Sequence, residues 1–132
     1  MKAAHPYLNF PGNAEEAFAF YRSVFGGDFT SVMRFRDMGQ SMGVRESDAD
    51  KIAHISLPLG ENATLMATDR LASFPVEHRP GNNFFITLDP ETAEEADRLF
   101  EALSNGGSVE MPLQQTEWAE KYGTCSDPFG IQ

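Results

Sequence analysis

A histidine and a serine stand two residues apart in the apolar segment IAHISL, residues 52–57. Imidazole titrates near neutral pH, so His54 could act as a general acid or base, or could hydrogen-bond a bound molecule. Residues two apart on a strand face the same side, which places Ser56 beside His54. A histidine in such a segment can equally be a core residue that bonds a neighbour, and both interpretations of His54 are open at this point.

Two further side chains have chemistry to weigh. Trp118 lies in the polar segment QQTEWAEKYG and could close over a ligand as a lid, or pack against the core or a partner subunit. Cys125 is the single cysteine and has no histidine near it in sequence, which favours an inert buried thiol over a nucleophile. One cysteine forms no internal disulfide, and the first residues lack the apolar core of a secretory signal, so we expect a cytoplasmic protein.

The charge balance restricts the partners. Among 132 residues, 20 are acidic and 10 are Lys or Arg, giving a formal charge of -10. This charge opposes unaided binding to nucleic acid or to an anionic membrane, and it is easier to reconcile with a small neutral or cationic ligand. The acid excess can also serve solubility alone. No apolar run approaches the roughly 20 residues needed to cross a bilayer. From the charge we expect no nucleic-acid partner, and from the charge and the short apolar runs we expect no membrane partner.

The elements that would position these residues occur twice. The segment 11–17 shares its proline, two alanines and two glutamates with the segment 90–96 at a constant spacing. Each copy continues with apolar residues at helical spacing and ends in a glycine pair, Gly26-Gly27 or Gly106-Gly107. Glycine tolerates the positive φ that ends a helix. The chain is therefore predicted to contain two halves of the same plan.

The start of each predicted helix carries a capping-box pattern. Asn13 precedes Glu16 by three residues, and Thr92 precedes Glu95 by the same spacing. In a capping box the first side chain accepts a hydrogen bond from the backbone N–H three residues on, and the glutamate reaches back. Both helices are therefore predicted to begin in the same way.

A second alignment pairs residues 51–60 with residues 121–130. It places Thr124 and Ser126 at the positions of His54 and Ser56, so these four side chains are predicted to form a small polar patch. The first half has about nine more residues before this alignment, and they fall in the polar stretch 37–51, which is typical of a surface loop.

The element order predicts an α+β fold. One domain, residues 1–132, is expected to comprise two halves, about 1–70 and 80–132, with the second half lacking its last strand. Helices are predicted at 13–25 and 91–104, and strands near 3–10, 28–36, 52–59, 63–68, 83–88, 108–114 and 121–126.

Several of these segments resemble one family in order and spacing. They are PYLNFPGNAEEAFAFYRSVFGG, KIAHISLPLG followed by LMATD, and GGSVEMPLQQTEW with KYGTCSDPFGIQ. Together they resemble the PhnB-like family of the vicinal-oxygen-chelate superfamily, which includes glyoxalases, bleomycin-resistance proteins and dihydroxybiphenyl dioxygenases. The resemblance implies tandem βαβββ modules forming a curved mixed sheet, a cup on that sheet, and a homodimer. The spacing of His54 also matches a family segment that contains a histidine.

The resemblance also implies where a metal would bind. Metal-using members place His or Glu on the first and last strands of each half, and the corresponding positions here are Pro6, Met66 and Phe85, with the fourth beyond Gln132. Proline, methionine and phenylalanine do not suit the divalent ions that prefer imidazole and carboxylate. No metal and no other cofactor is therefore expected. Met66 and Phe85 would instead make the cup apolar and suited to a small apolar or aromatic ligand, or would simply fill it.

Three functions are compatible with these residues. The first is a metal-independent small-molecule-binding homodimer, with ligand contacts from His54, Ser56, Met66, Phe85, Trp118 and Thr124. The second is an acid/base enzyme that uses His54. The third is a metal-dependent lyase, isomerase or dioxygenase of the glyoxalase superfamily. The sequence leaves the ligand and the presence of catalysis open.

Overall fold

The computed structural model describes residues 1–39, 43–117 and 119–132. Contacts divide the chain into two compact units, Met1–Arg79 (unit 1) and Pro80–Gln132 (unit 2). The elements are β1 (Tyr7–Phe10), α1 (Ala14–Phe25), β2 (Ser31–Arg34), β3 (Ile52–Leu59), β4 (Ala63–Asp69), α2 (Ala93–Ser104), β5 (Ser108–Gln114) and β6 (Tyr122–Ser126), with 3-10 turns at Phe35–Met38 and Glu46–Asp48. The predicted α+β class and both predicted helices are confirmed, whereas the single-domain arrangement of two halves stays a prediction.

The sheet of unit 1 has four strands in the order β1-β4-β3-β2. β1 runs parallel to β4, and the other two pairings are antiparallel, so the sheet is mixed. A parallel pair requires a crossover connection, and α1 with β2 and β3 supplies it between β1 and β4.

α1 covers one face of this sheet. Its apolar residues recur at helical spacing, and five of them are buried: Ala14, Ala17, Phe18, Tyr21 and Val24. The ring of Phe18 meets that of Phe10 edge-on, with centroids 6.3 Å apart. The strands contribute Leu8, Ile55, Leu57, Leu65 and Ala67 to the same core. Burial of this apolar surface is the main term that stabilises unit 1.

The predicted capping box at the start of α1 is wrong. Asn13 makes no side-chain cap, and its Oδ1 is buried without a hydrogen-bond partner among the described residues. The carboxylate of Asp69 instead accepts from the backbone N–H of Ala14 at 2.9 Å and from that of Ile52 at 2.8 Å. A buried carboxylate on β4 thus joins the helix start to the start of β3.

The prediction for α2 is closer to the structure. The backbone N–H of Glu95 donates to Thr92 Oγ1 at 3.1 Å, as in a capping box. The Glu95 carboxylate accepts from the N–H of Glu91 at 3.0 Å instead of from that of Thr92. Thr92 has the extended backbone that an N-cap requires, with φ −135° and ψ 159°, whereas Asn13 has φ −116° and ψ 27°.

A bulge interrupts the pairing of β2 with β3. Met33 pairs with His54 and Arg34 pairs with Ile52, so Ala53 has no opposite residue. A bulge residue reverses the alternation of faces along its strand. Ile52 is therefore buried on the helix side even though it lies two residues from His54.

In unit 2, β5 and β6 form an antiparallel two-stranded sheet with two register shifts. Gly107 enters β5 beside β6, and a Cβ at this position would collide with the carbonyl oxygen of Ser126. Gly106 has the predicted positive φ, at 84°, whereas Gly107 does not. Gly107 is needed because the β6 backbone approaches it too closely for a side chain.

The predicted strand at 83–88 is wrong, because these residues have no strand assignment. In unit 1 the first strand is held by β4, whereas the described strands of unit 2 are β5 and β6 alone. One backbone hydrogen bond, from the N–H of Ile86 to the carbonyl of Gln132 at 2.9 Å, anchors this segment. The predicted strands at 3–10 and 28–36 are also shorter in the structure. No helix among the described residues has the length and apolarity needed to span a membrane.

Candidate functional site

The face of the unit 1 sheet that points away from α1 carries most of its polar side chains. Tyr7 pairs with Met66, Met66 with Ser56, and Ser56 with Ser31, so these residues form one row across the four strands. Directly paired residues project from the same face, and the face alternates along each strand. We call this surface the site face; its residues include Tyr7, Asn9, Met33, His54, Ser56, Met66 and Thr68.

Tyr7 and His54 meet on the site face. The Tyr7 hydroxyl lies 3.2 Å from His54 Nδ1, and the ring centroids are 5.7 Å apart. Burial raises the pKa of the Tyr7 phenol above its ordinary value of 10.0, so the phenol is protonated at neutral pH. It can therefore donate to Nδ1, and a neutral imidazole then carries its hydrogen on Nε2.

Ser56 is buried beside this pair. Its hydroxyl lies 2.7 Å from Thr30 Oγ1, and either oxygen can donate to the other. The two hydroxyls share one hydrogen bond, which leaves one hydroxyl hydrogen available for another acceptor. Ser56 is 5% exposed, so this hydrogen bond offsets much of the cost of burying its hydroxyl.

Methionine and tyrosine supply the apolar part of the site face. Met66 is half-buried between Tyr7 and Ser56 in the sheet row. Met33 pairs with His54 and is 38% exposed, and Tyr7 is 47% exposed. Thioether and aromatic side chains favour contact with flat apolar molecules. The site face therefore combines an accessible apolar surface with oriented hydrogen-bonding groups.

An arginine lies at the end of the site face. The Nη2 of Arg70 donates to Asn9 Oδ1 at 3.2 Å, and its backbone N–H donates to the carbonyl of Phe10 at 2.6 Å. Arg70 is half-buried. Arg70, Asn9 and Tyr7 are not among the site residues predicted from the sequence; the spacing 66, 68, 70, which continues the alternation of β4 by one residue, was the available signal for Arg70.

Three predicted site residues lie outside unit 1. Phe85 is in the segment without strand assignment and is 40% exposed. Thr124 is on β6, where its Oγ1 is buried with no hydrogen-bond partner among the described residues. Trp118 lies outside the described residues. The structure brings His54, Ser56 and Met66 together on one face, and the ligand-binding role of all six predicted residues stays a prediction.

The side chains at the expected metal positions do not fit a catalytic divalent ion. The pairing places Tyr7 in the row of Met66 on the site face, and the metal positions that the resemblance implied, Pro6, Met66 and Phe85, stay a prediction. A protonated phenol and a thioether are poor ligands for Zn, Fe, Mn or Ni. Across the described parts of the chain, no group of three or more His, Cys, Asp or Glu is placed to hold a metal ion.

Comparison with known proteins gives consistent matches over nearly the whole chain. The chain is 30% identical to protein YjdN of Escherichia coli strain K12 over 135 residues, which cover 96% of this chain and 88% of YjdN. It resembles the crystal structure of protein PA1353 from Pseudomonas aeruginosa with a TM-score of 0.84 and 39% identity, covering 98% of this chain and 92% of that one.

A PhnB protein from Bacillus cereus is similar as well, with a TM-score of 0.71 and 27% identity over 97% of this chain and 93% of that chain. The family model described as Glyoxalase/Bleomycin resistance protein/Dioxygenase superfamily matches residues 4–132. The mixed sheet, the two helices and this match agree with the predicted fold and family. The chain therefore belongs to the glyoxalase/bleomycin resistance protein/dioxygenase superfamily.

Proposed function

We propose that this chain binds a small apolar or aromatic molecule on the site face without using a metal, and that it acts as a homodimer. The observation that carries the proposal is the Tyr7–His54 contact beside Met66. It orients a hydrogen-bond donor, Nε2–H of His54, next to an apolar surface. A few oriented polar groups within an apolar lining are typical of small-molecule sites.

A fragment screen tests this proposal directly. Aromatic fragments are added to the isotope-labelled protein, and binding is located by NMR chemical shifts of Tyr7, His54 and Met66. We expect His54→Ala to weaken the bound fragments at least about fivefold, roughly 1 kcal/mol, with an unchanged Tm. His78→Ala is the matched control, because His78 lies in the loop after β4. Fragments that bind only elsewhere would contradict the proposal.

A second measurement addresses the metal. Protein purified without chelator is analysed for metal content, and its Tm is measured with Zn, Ni, Mn and Fe(II). We expect no stoichiometric metal and no specific shift, because the Tyr7 and Met66 side chains are poor ligands for these ions. Stoichiometric metal would instead support a metal-dependent lyase, isomerase or dioxygenase.

Unit 2 supports the homodimer. Several of its large apolar side chains are exposed, among them Phe84 at 64%, Val109 at 49% and Met111 at 39%. A second copy that covers them would remove apolar surface from water. Sedimentation equilibrium is expected to give twice the 14.6 kDa chain mass, and Val109→Lys is expected to shift the protein towards monomer. A monomer at all concentrations would exclude this assembly.

The Tyr7–His54 contact also favours a second candidate, an acid/base enzyme. An aligned phenol can fix the tautomer of an imidazole and assist proton transfer at Nε2. Turnover of a bound compound that His54→Ala abolishes, while binding persists, would favour this candidate over a purely binding protein.

A further inference from the structure

Arg70 lies where β4 leaves the sheet, at the end of the site face. Its backbone bond to Phe10 extends the pairing of β1 with β4 by one residue. Its Nη2 is held by Asn9 Oδ1 at 3.2 Å, and its Nη1 lies 3.5 Å from the carbonyl oxygen of Val76. Since Asn9 belongs to the site face, the guanidinium is positioned on the same side of the sheet as His54.

No carboxylate among the described residues pairs with this guanidinium. Ion pairs of the described residues use other cations, among them Arg34, Arg36, Lys51, Arg79 and Lys121. Asp69 is adjacent in sequence, but its two oxygens accept from the N–H groups of Ala14 and Ile52 on the opposite face. The chain has 20 acidic residues for 10 Lys and Arg, so acids are not in short supply.

A half-buried guanidinium without an anionic partner in the chain is well suited to bind an anion that a ligand supplies. A guanidinium has five N–H donors in a planar fork that matches a carboxylate. The described contacts of the Arg70 side chain are those to Asn9 and Val76, which leaves donors for a further acceptor.

We propose that the ligand of the site face is an organic anion, an apolar or aromatic molecule whose carboxylate binds Arg70. This inference rests on the proposed function, which supplies the binding face. Two residues along a strand span about 7 Å, so a molecule the size of phenylpropanoate reaches from Arg70 past Thr68 to His54. Asn9 acts as a positioning residue, because it holds the guanidinium and leaves the ligand contact to Arg70.

The proposal reverses one expectation from composition. The formal charge of -10 favours a neutral or cationic ligand when the whole surface is considered. At a half-buried site, the nearest charge has more effect than distant, solvent-screened ones. Arg70 therefore determines the preferred charge of the ligand at this end of the sheet.

Matched probes test the charge of the ligand. Benzoate, phenylpropanoate and 2-naphthoate are each compared with their primary amides by titration into the isotope-labelled chain, with NMR detection of β1, β3 and β4. We expect the carboxylates to bind at the site face at least about tenfold more tightly than the amides, which corresponds to about 1.4 kcal/mol.

Two variants assign the preference to Arg70. Asn9→Asp places a carboxylate beside the guanidinium and is expected to abolish the preference for carboxylates while the amides still bind. Arg70→Gln is expected to do the same. Arg79→Gln removes one positive charge from an exposed loop residue and is the control; it is expected to keep the preference.

The outcomes separate this inference from the proposed function. Equal binding of carboxylates and amides at the site face would overturn the anion inference and leave the proposed site standing. If neither series shifts the site-face signals, both are wrong. A carboxylate preference that persists in Asn9→Asp and Arg70→Gln would also overturn the role of Arg70.

Discussion

The phenolic oxygen of Tyr7 lies 3.2 Å from Nδ1 of His54, although β1 and β3 are not neighbours in the sheet. The two side chains meet above β4, the strand between them, on the face opposite α1. The contact therefore links the edge strand β1 to β3 across the site face and holds the ring of His54 in place. Changes at Tyr7 are expected to affect His54 even though 47 residues separate them in sequence.

The first prediction concerns the titration of Tyr7. Burial raises its pKa above 10.0, so the folded protein favours the neutral phenol. This preference is fully present below pH 10 and is lost as the pH rises through the folded pKa, so stability falls there. The phenolate absorbance of the wild type minus that of Tyr7→Phe is expected to titrate with a midpoint above 10.0. A midpoint at or below 10.0, with the fold intact by circular dichroism, would contradict this.

The second prediction concerns Asp69. Asp69→Asn replaces a carboxylate that accepts from two buried backbone N–H groups with an amide that has one acceptor oxygen. One N–H is then left without a partner, and the free energy of unfolding is expected to fall by about 3 kcal/mol in urea denaturation. Asp28→Asn, at an exposed position, is the control and is expected to change it by less than about 0.5 kcal/mol.

The third prediction concerns Glu15. The hydrogen bonds from Arg34 lower its pKa below 4.5, so its contribution is present above pH 4.5 and is lost as the pH falls through the folded pKa. The side chains are 33% and 61% exposed, which limits the contribution to below about 1 kcal/mol. Glu15→Gln is expected to destabilise the protein slightly at pH 7 and less at pH 3.

Urea denaturation at the two pH values measures this difference. Glu16→Gln, at the neighbouring exposed position, serves as the control for loss of one negative charge near the start of α1. A Glu15→Gln effect that grows towards pH 3 would show that the Arg34 contact does not lower the pKa of Glu15.

The fourth prediction compares two glycines from the repeated pattern. A Cβ at Gly107 collides with the β6 backbone, whereas a Cβ at Gly27 has free space and meets only the strain of φ 80°. Gly107→Ala is expected to destabilise unit 2 by about 3 kcal/mol, and Gly27→Ala to cost about 1 kcal/mol. Hydrogen exchange of the β5 and β6 amides measures the destabilisation caused by Gly107→Ala. If both variants destabilised the protein equally, a steric collision at Gly107 would not explain its larger expected cost.

Local patterns in the sequence predict much of the fold. The apolar spacing from Ala14 to Val24 predicts α1 and its buried face, and the alternation in IAHISL places His54 and Ser56 on one face, where the structure has them. Each of these signals lies within a few residues of the chain, where helical and strand periodicity determine which side a residue faces.

Contacts between residues that are far apart in sequence could not be predicted from such local patterns. Asp69 binds the N–H of Ala14 from 55 residues away, so nothing near Asn13 showed that its own cap would not form. The position of Tyr7 depended on register, since a shift of one residue along a strand changes the face. The alternation pointed to the face of Arg70, but the contact that holds its side chain comes from Asn9, 61 residues away on another strand.

The bulge at Ala53 divides β3 into two parts whose alternation of faces is out of step. Ile52 lies before the bulge and follows the segment 37–51, whereas His54 and Ser56 lie after it on the site face. A bulge accommodates one extra residue in a strand while the residues beyond it stay paired. We therefore expect a one-residue change in the length of the segment 37–51 to leave His54 and Ser56 on the site face.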